Sequence, residues 1–547
     1  VVLTQIYHLG AARVSGEPVP TIAPSAVRDD EDRTIPHVLA EDEIATLATA
    51  FGHSARRARE AGLDGVELHG AHGYLINQFL SGFSNRRTDA YGGSPAKRMR
   101  FLQDILAEVD RLAGPDFPVG LRINADEGVE GGLTIEEVVG IERALAPRLM
   151  YLNVSAGTTT GLKRGVRLPY ASPWLVENGH NVPLAAAVRR GVSVPVIVAG
   201  RIQDPDHAEQ LLADGACDIV GMARALLADP QWPNKVREGR PADIRPCISN
   251  NDCHGRGHMM CAVNPVATRE TEMDAEPAGT PRDVLVVGGG PAGMEAARVA
   301  AARGHRVVLC EREDELGGQL RIMARDPGRS RLPLWLEYQQ RQLALERVDV
   351  RLGTELDAAS VGDLGPDVVV LATGARPAAP PIPGIDAPHV VTAESVLLGT
   401  ESPGRRVVVL AALEDHMRPL TLADLLAGRG HEVTLVSELL VIGQGVEKRT
   451  QHLLLQRLLR AGVQLRPMTE VTAVEGARLC TRDVVTDRVG SIEDVDTVVL
   501  ANGSTAADAL RAPLRKEGRE VHLIGDCLSP RQILHAILDG ARIGRAL

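Results

Sequence analysis

Gly65-Val66-Glu67-Leu68-His69-Gly70-Ala71-His72-Gly73-Tyr74-Leu75 is the stretch on which the fold of this chain turns. It begins as a short β-branched and apolar run and breaks into a turn rich in glycine and histidine. The same layout recurs along the first half. Strands are predicted at Val1–Tyr7, Gly65–His69, Val119–Asn124, Met150–Ser155, Val194–Gly200 and Asp218–Met222. Helices are predicted between them, at Glu41–Ala61, Ala96–Ala113, Thr134–Ala144 and Pro205–Asp214. Repeated strand–helix units of this length imply parallel strands joined by right-handed crossovers. Several strands close on polar or glycine-rich residues: Gln5 and His8, His69–Tyr74, Arg122 and Asn124, Gly200-Arg201, and Gly221–Arg224. A (β/α)8 TIM barrel carries its active site at such strand ends, which makes the expected class α/β. Six units are counted where a closed barrel has eight. The first two strands are therefore expected to be missing from this sequence.

Length and charge bound the rest. At 547 residues the chain is expected to hold two to four domains of ~150 residues each. No run reaches the ~18 consecutive apolar residues of a membrane span. Val1–Tyr7 lacks the basic flank of a signal peptide. A net charge of −11 with scattered Lys and Arg speaks against a nucleic-acid partner. The expected location is the cytoplasm, and a homo-oligomer is compatible with all of this. Three of the seven cysteines, Cys247, Cys253 and Cys261, lie together, and in a cytosolic protein such grouping reads as metal binding before disulfide.

Residues 266–282 are polar and Pro/Gly-containing, as a linker is. Asp283–Val287 then runs into Gly288-Gly289-Gly290-Pro291-Ala292-Gly293 and a helix, and Glu311 ends the next strand, Arg306–Cys310. Glycines at Gly288, Gly290 and Gly293 let the backbone approach a pyrophosphate at the helix N-terminus, and Glu311 suits a ribose. A further unit, about 404–500, opens with Arg406–Leu410 and continues Ala411-Ala412-Leu413-Glu414-Asp415-His416-Met417 where a nicotinamide domain has its glycines. Side chains there block a pyrophosphate, and Glu414 and Asp415 repel it. The domain plan read from the sequence is 1–240 for the barrel, 241–282 for the cysteine segment and linker, 283–403 with 501–547 for a dinucleotide domain, and 404–500 for a degenerate insert.

Gln5–Gly10, His69–Leu75 and Asn85-Arg86-Arg87-Thr88-Asp89-Ala90-Tyr91-Gly92-Gly93, in this order, resemble the Old Yellow Enzyme family. With cysteines and a dinucleotide region behind the barrel, the layout is similar to its long members, the dienoyl-CoA reductase, trimethylamine dehydrogenase and N-demethylase types. The resemblance implies FMN in the barrel. Gln5 and Arg122 would meet its pyrimidine edge, where negative charge gathers on reduction. Gly200, Arg201, Gly221 and Arg224 would hold its phosphate. His69 and His72 would hydrogen-bond a substrate carbonyl, and Tyr74 would supply a proton. The Asn85–Gly93 stretch is expected to shape its loop rather than to act chemically. Val368–Gly374 and Leu523-Ile524-Gly525-Asp526 resemble FAD-binding disulfide-reductase domains, which adds Gly374, Gly525 and Asp526 to a site for FAD, or for bare ADP.

Cys247, Cys253 and Cys261 would carry an iron–sulfur cluster, because soft thiolates suit iron. The family's second cysteine is replaced by Asn250. Three readings remain: a 4Fe-4S cluster with a non-cysteine ligand such as His254 or Asp252, a 3Fe-4S cluster, or a lost site. The dienoyl-CoA reductase pattern has a histidine after the sixth strand, and Asn153–Leu168 has none, which speaks against that activity. An aromatic cage for an alkylammonium is not expected at 3% aromatics, with Tyr170 and Trp174 as the evident barrel-mouth rings. Two directions of electron flow follow. NAD(P)H reduces the flavin, which reduces an activated C=C; or a small amine reduces the flavin, and electrons leave through the cluster to an electron-transfer flavoprotein. The first is preferred.

Overall fold

The six runs predicted as strands form one parallel sheet in the computed structural model, which describes residues 1–12, 19–28, 34–158, 170–254, 259–273 and 276–547. Parts of the histidine-free stretch Asn153–Leu168, of the Cys253–Cys261 loop and of the linker lie outside the described residues. The strands are β1 (Leu3–Ile6), β2 (Gly65–Gly70), β3 (Val119–Asp126), β4 (Tyr151–Ala156), β5 (Val196–Ala199) and β6 (Ile219–Gly221), paired in chain order. Each neighbour is parallel. This is the sheet of a TIM-barrel fold, with crossover helices α1 (Glu41–Glu60), α2 (Leu75–Leu80), α3 (Arg100–Ala113), α4 (Ile135–Leu145), α5 (Val182–Arg189) and α6 (Pro205–Ala213).

Local signals set these helix ends. Thr134 and Glu137 form a reciprocal capping box at the start of α4. Asp204 caps α6, with Pro205 in its first turn. The helix predicted over Ala96–Ala113 is broken at Met99, with a short helix Pro95–Arg98 before α3. The cause is Arg98, which is buried and donates to the carbonyls of Leu80 at 2.8 Å and Gly93 at 2.9 Å, drawing the first turn toward that loop. Alternation in β2 divides its side chains. Val66 and Leu68 join Phe51, Ala55 and Phe101 of α1 and α3 in the apolar core, whereas Glu67 and His69 take the other face.

The chain divides into two compact units, Val1–Ser172 with Val176–Ala223, and Pro173–Leu175 with Arg224–Leu547. The second holds two parallel five-stranded sheets. The first of these runs β9 (Asp349–Arg351), β8 (Arg306–Cys310), β7 (Asp283–Val287), β10 (Val368–Leu371), β16 (Val521–Leu523). Its helix α7 (Pro291–Ala302) packs against the last helix, α11 (Ile533–Ala546). The other sheet runs β11 (Val390–Thr392), β15 (Thr497–Leu500), β12 (Arg406–Ala412), β13 (Glu432–Ser437), β14 (Gln464–Arg466). It carries α9 (Met417–Gly428) and α10 (Lys448–Arg460), whereas α8 (Arg331–Leu345) falls in sequence between β8 and β9 of the first sheet. Ala375–Pro377 and Ser504–Ala506 pair antiparallel where the chain leaves the first sheet and returns to it. No helix among the described residues is long and apolar enough to cross a membrane.

Candidate functional site

The inner face of the first unit's sheet is polar, and its register assembles the site. Gln5 lies opposite Glu67, and His69 opposite Arg122, which lies opposite Asn153. The Gln5 amide donates to Glu67 Oε1 at 2.5 Å, while Asn153 and the Tyr151 hydroxyl donate to Glu67 Oε2 at 2.9 and 3.0 Å. Glu67 is thus a buried carboxylate with three donors, and the sequence reading missed it. Its signal was a lone carboxylate between Val66 and Leu68, at the two-residue spacing that puts it on the face of His69. Burial draws the Arg122 guanidinium down, and Glu67 and Tyr74 draw it back up. Its Nε is buried with no hydrogen-bond partner among the described residues, an orphaned donor that fits an acceptor-rich, anionic group.

One turn further on, His72 adopts φ +63°, with its backbone bridged to Thr158. Its Nδ1 lies 3.2 Å from His69 Nε2 and its Nε2 lies 2.7 Å from Ser155 Oγ. The sequence reading expected both imidazoles to donate to one substrate oxygen. In this geometry His72 bridges His69 and Ser155, and His69 Nδ1 is buried without a partner among the described residues. Burial, aided by Arg122, pushes His69 down to about 3, so the ring is neutral at ordinary pH, with one donor and one acceptor nitrogen. Tyr74 caps α2 with its ring 5.1 Å from that of His69. Tyr7 stands 5.7 Å from Tyr74, and Tyr170 stacks on His72 at 5.0 Å. Three of the chain's six tyrosines therefore meet here, and the low overall aromatic content did not report that local density. Trp174 belongs to the second unit, where Arg329 lies over its ring at 4.1 Å. The Asn85–Gly93 stretch is bound to backbone: Asn85 donates to the carbonyls of Phe79 and Tyr91 at 2.7 Å each, and Arg87 to those of Pro24 and Leu39.

Gly200 and Arg201 follow β5, and Gly221 ends β6, where it pairs with Ala199. Arg224 begins the second unit, and its Nη1 donates to Asn251 Oδ1 at 2.5 Å.

In the second unit, β7 enters the glycine turn. Gly288 has φ +110°, and a Cβ there would overlap the Ala372 carbonyl of neighbouring β10's end. A Cβ on Gly293 would overlap the Gly288 carbonyl, so only glycine lets helix and strand close up. Gly290 caps α7, and a Cβ there would project into open space, the cradle a pyrophosphate would fill. Glu311 Oε2 accepts from Gly289 N at 2.6 Å and its Oε1 from Glu313 N at 3.0 Å, which sets it beside that turn. Gly374 follows β10 at φ +73°, and Gly525 N donates to Asp539. Asp526 is held by Arg531 N at 3.0 Å, and burial raises its pKa.

Cys247, Cys253 and Cys261 line one small cavity together with Asn250, Asn251 and Arg224. Burial first, then Cys247, pushes Cys253 up to about 12 and Cys261 up to about 11. No three His, Cys, Asp or Glu side chains among the described residues are grouped closely enough for a single ion. Asn250, in place of the fourth thiol, donates to Asp252 at 2.5 Å.

Residues 1–243 match the NADH:flavin oxidoreductase / NADH oxidase family, and residues 282–522 match the pyridine nucleotide-disulphide oxidoreductase domain. The chain is 37% identical to an NADH oxidase of Thermoanaerobacter brockii, covering 99% of this chain and 84% of that protein. It is 32% identical to a cinnamate reductase of Clostridium sporogenes, over 96% of this chain and 81% of the relative. The solved structure of histamine dehydrogenase from Rhizobium sp. 4-9 superposes with a TM-score of 0.90 at 28% identity, covering 99% of this chain and 83% of that one.

Proposed function

This chain belongs to the NADH:flavin oxidoreductase / NADH oxidase family, in its long form with a pyridine nucleotide-disulphide oxidoreductase domain, and from that premise we propose that it reduces an activated carbon–carbon double bond. FMN, held by Gln5, Arg122, Gly200, Arg201 and Gly221, supplies the hydride when bound. His69, steadied by His72 and Ser155, hydrogen-bonds the substrate carbonyl and polarises the double bond. Tyr74 holds the proton delivered to the α-carbon. FAD, or ADP, rests on Gly288, Gly290, Gly293, Glu311, Gly374, Gly525 and Asp526. Cys247, Cys253 and Cys261 hold an iron–sulfur cluster of three thiolates. The domain limits proposed are those of the sequence plan, and the proposed electron source is NAD(P)H.

One observation carries this reading: His69, with its unpartnered nitrogen, has Tyr74 5.1 Å to one side and Arg122 opposite in register. Tyr74→Phe is expected to leave flavin reduction intact and to slow reduction of an enone by about 10²–10⁴-fold. Equal enone rates in variant and wild type would remove Tyr74 from the mechanism.

A second reading, oxidation of a small amine with electrons passing to an electron-transfer flavoprotein, is favoured by the rings of Tyr7, Tyr74 and Tyr170 around the histidines, since aromatic faces attract alkylammonium groups. Anaerobic mixing separates the two. Bleaching of the flavin by NAD(P)H supports reduction, and bleaching by a panel of N-methyl amines supports the amine reading.

A further inference from the structure

Glu67 has no part in the mechanism above, yet it sits among the residues assigned to the flavin. Its neighbours on β2, Val66 and Leu68, are wholly buried, and Glu67 itself is 8% exposed. A carboxylate in such a place costs several kcal/mol unless donors surround it. Three do, from β1 and β4: Gln5 at 2.5 Å, Asn153 at 2.9 Å and Tyr151 at 3.0 Å. The intervening strand, β3, makes way for them. Gly120 lies opposite Glu67 in register, and a Cβ there would overlap the Tyr151 ring. Two residues on, Arg122 shares that face and feels the charge of Glu67. A neutral, apolar residue at position 67 would fill the same space at lower cost. The retained carboxylate, with a glycine and three donors arranged for it, points to an electrostatic task.

We propose that Glu67 is a positioning residue of the flavin site, which orients the Gln5 amide and offsets the charge of Arg122. The inference rests on the reading of this sheet as the FMN site. By taking an amide hydrogen of Gln5, Glu67 leaves the Gln5 carbonyl oxygen as the end available to an N–H of the flavin's pyrimidine ring. By its negative charge it opposes the build-up of negative charge that reduction places near Arg122. It therefore lowers the flavin's midpoint potential below the value Arg122 alone would set.

The test compares full-length, flavin-loaded wild type with Glu67→Gln and Tyr151→Phe. FMN content is read by releasing and chromatographing the flavins, and the FMN midpoint potential by anaerobic reductive titration. Glu67→Gln is expected to raise the potential, with the equilibrium constant for reduction increasing about tenfold to a hundredfold, the size of one charge removed at short range in a partly polar interior. Tyr151→Phe keeps the charge and strips away a donor that neutralises it, so its potential stays or falls. That opposite sign remains informative even where Glu67→Gln loses its flavin. FMN retained with an unmoved potential in Glu67→Gln overturns the role of Glu67 alone. A rise in Tyr151→Phe overturns it as well, because it marks a packing effect. Wild type that holds no FMN overturns the site reading beneath both.

Discussion

The second unit contains the same device twice, a parallel strand that turns into a helix, and the two turns differ in the side chains they carry ahead of the helix. After β7, Gly288 to Gly293 lead into α7 with an open cradle at Gly290 and Glu311 alongside. At the end of β12, Ala411 to Met417 lead into α9, and residues with side chains, Leu413, Glu414 and Asp415 among them, stand where the first turn has glycines. Ala412 is held at φ +44°, an unusual conformation for a residue with a Cβ. The Asp415 carboxylate stands 2.8 Å from where a Cβ on Gly445 would lie, and Gly445 N donates to the Asp415 carbonyl at 2.9 Å. Glu414 turns back to accept from His416 N at 3.1 Å. Sheet topology alone thus says little about ligand binding. Each turn has a backbone N–H on one of the protein's own carboxylates, Gly289 N on Glu311 and His416 N on Glu414, and the glycine turn alone keeps open space beside Gly290 at the helix start.

The comparison breaks most visibly if the open turn is closed. Gly293→Val places a branched side chain against the Gly288 carbonyl and forces α7 away from β7. Bound FAD is expected to fall below about a tenth of the wild-type content, with overpacking costing 1–3 kcal/mol or more. Normal FAD content on release from the purified variant would show that the cradle is not the dinucleotide site. Glu311→Ala is milder. It removes the acceptor for Gly289 N and Glu313 N, together with the carboxylate assigned to the ribose. Affinity for FAD, read by fluorescence titration of the apoprotein, is expected to weaken about tenfold to a hundredfold, or 1–3 kcal/mol.

The filled turn carries a different signature, in acid. His416 is held down to about 4, chiefly by burial and then by Arg329. A histidine whose folded pKa is depressed stays neutral in the native state while the unfolded chain takes up a proton. Stability is therefore present above pH 6.5 and lost as the pH falls from about 6.5 toward 4. His416→Gln removes that loss, which is on the order of 1–3 kcal/mol. Urea midpoints at pH 7.5 and 4.5 measure it: the wild type is expected to lose more than the variant. Equal losses would mean that His416 is solvated.

Much of this was legible in the sequence, for definite reasons. All six strands of the first unit's main sheet were predicted, because β-branched runs ending on polar residues are local signals, whereas the small pair Ile22–Ala23 and His37–Val38 was not. The glycine turn was legible because Gly288 and Gly293 are demanded by backbone contacts that no other residue permits. The Ala411–Met417 turn was legible as a departure from that pattern. Glu67 and Ser155 were not. Their partners are 62 to 86 residues away, and the bonds that define them depend on strand register, which no local pattern encodes. Tyr7 was overlooked because a ring beside β1 gains meaning only when β2 brings Tyr74 and His69 next to it. The break at Met99 escaped notice because it follows from Arg98 reaching into a neighbouring loop.

The smallest expected effect gives the sharpest view of the contrast between the turns. If side chains already fill the crevice after β12, the charges there do not contact NADH, and altering them leaves the cofactor's affinity alone. Glu414→Gln keeps the shape of the side chain and its acceptor for His416 N while removing a charge at the helix start. A dinucleotide bound at this turn would set its pyrophosphate against that residue, and removing a like charge would tighten binding several-fold. Stopped-flow reduction of the flavin by NADH is therefore expected to give a KM within about twofold of wild type. A KM that falls about tenfold would show that NADH does approach Glu414, and that the filled turn is a weakened site rather than a closed one. An unchanged KM leaves any NADH-driven reduction to a different surface of the protein, and leaves Gly288–Gly293 as the one of these two turns shaped to take a dinucleotide.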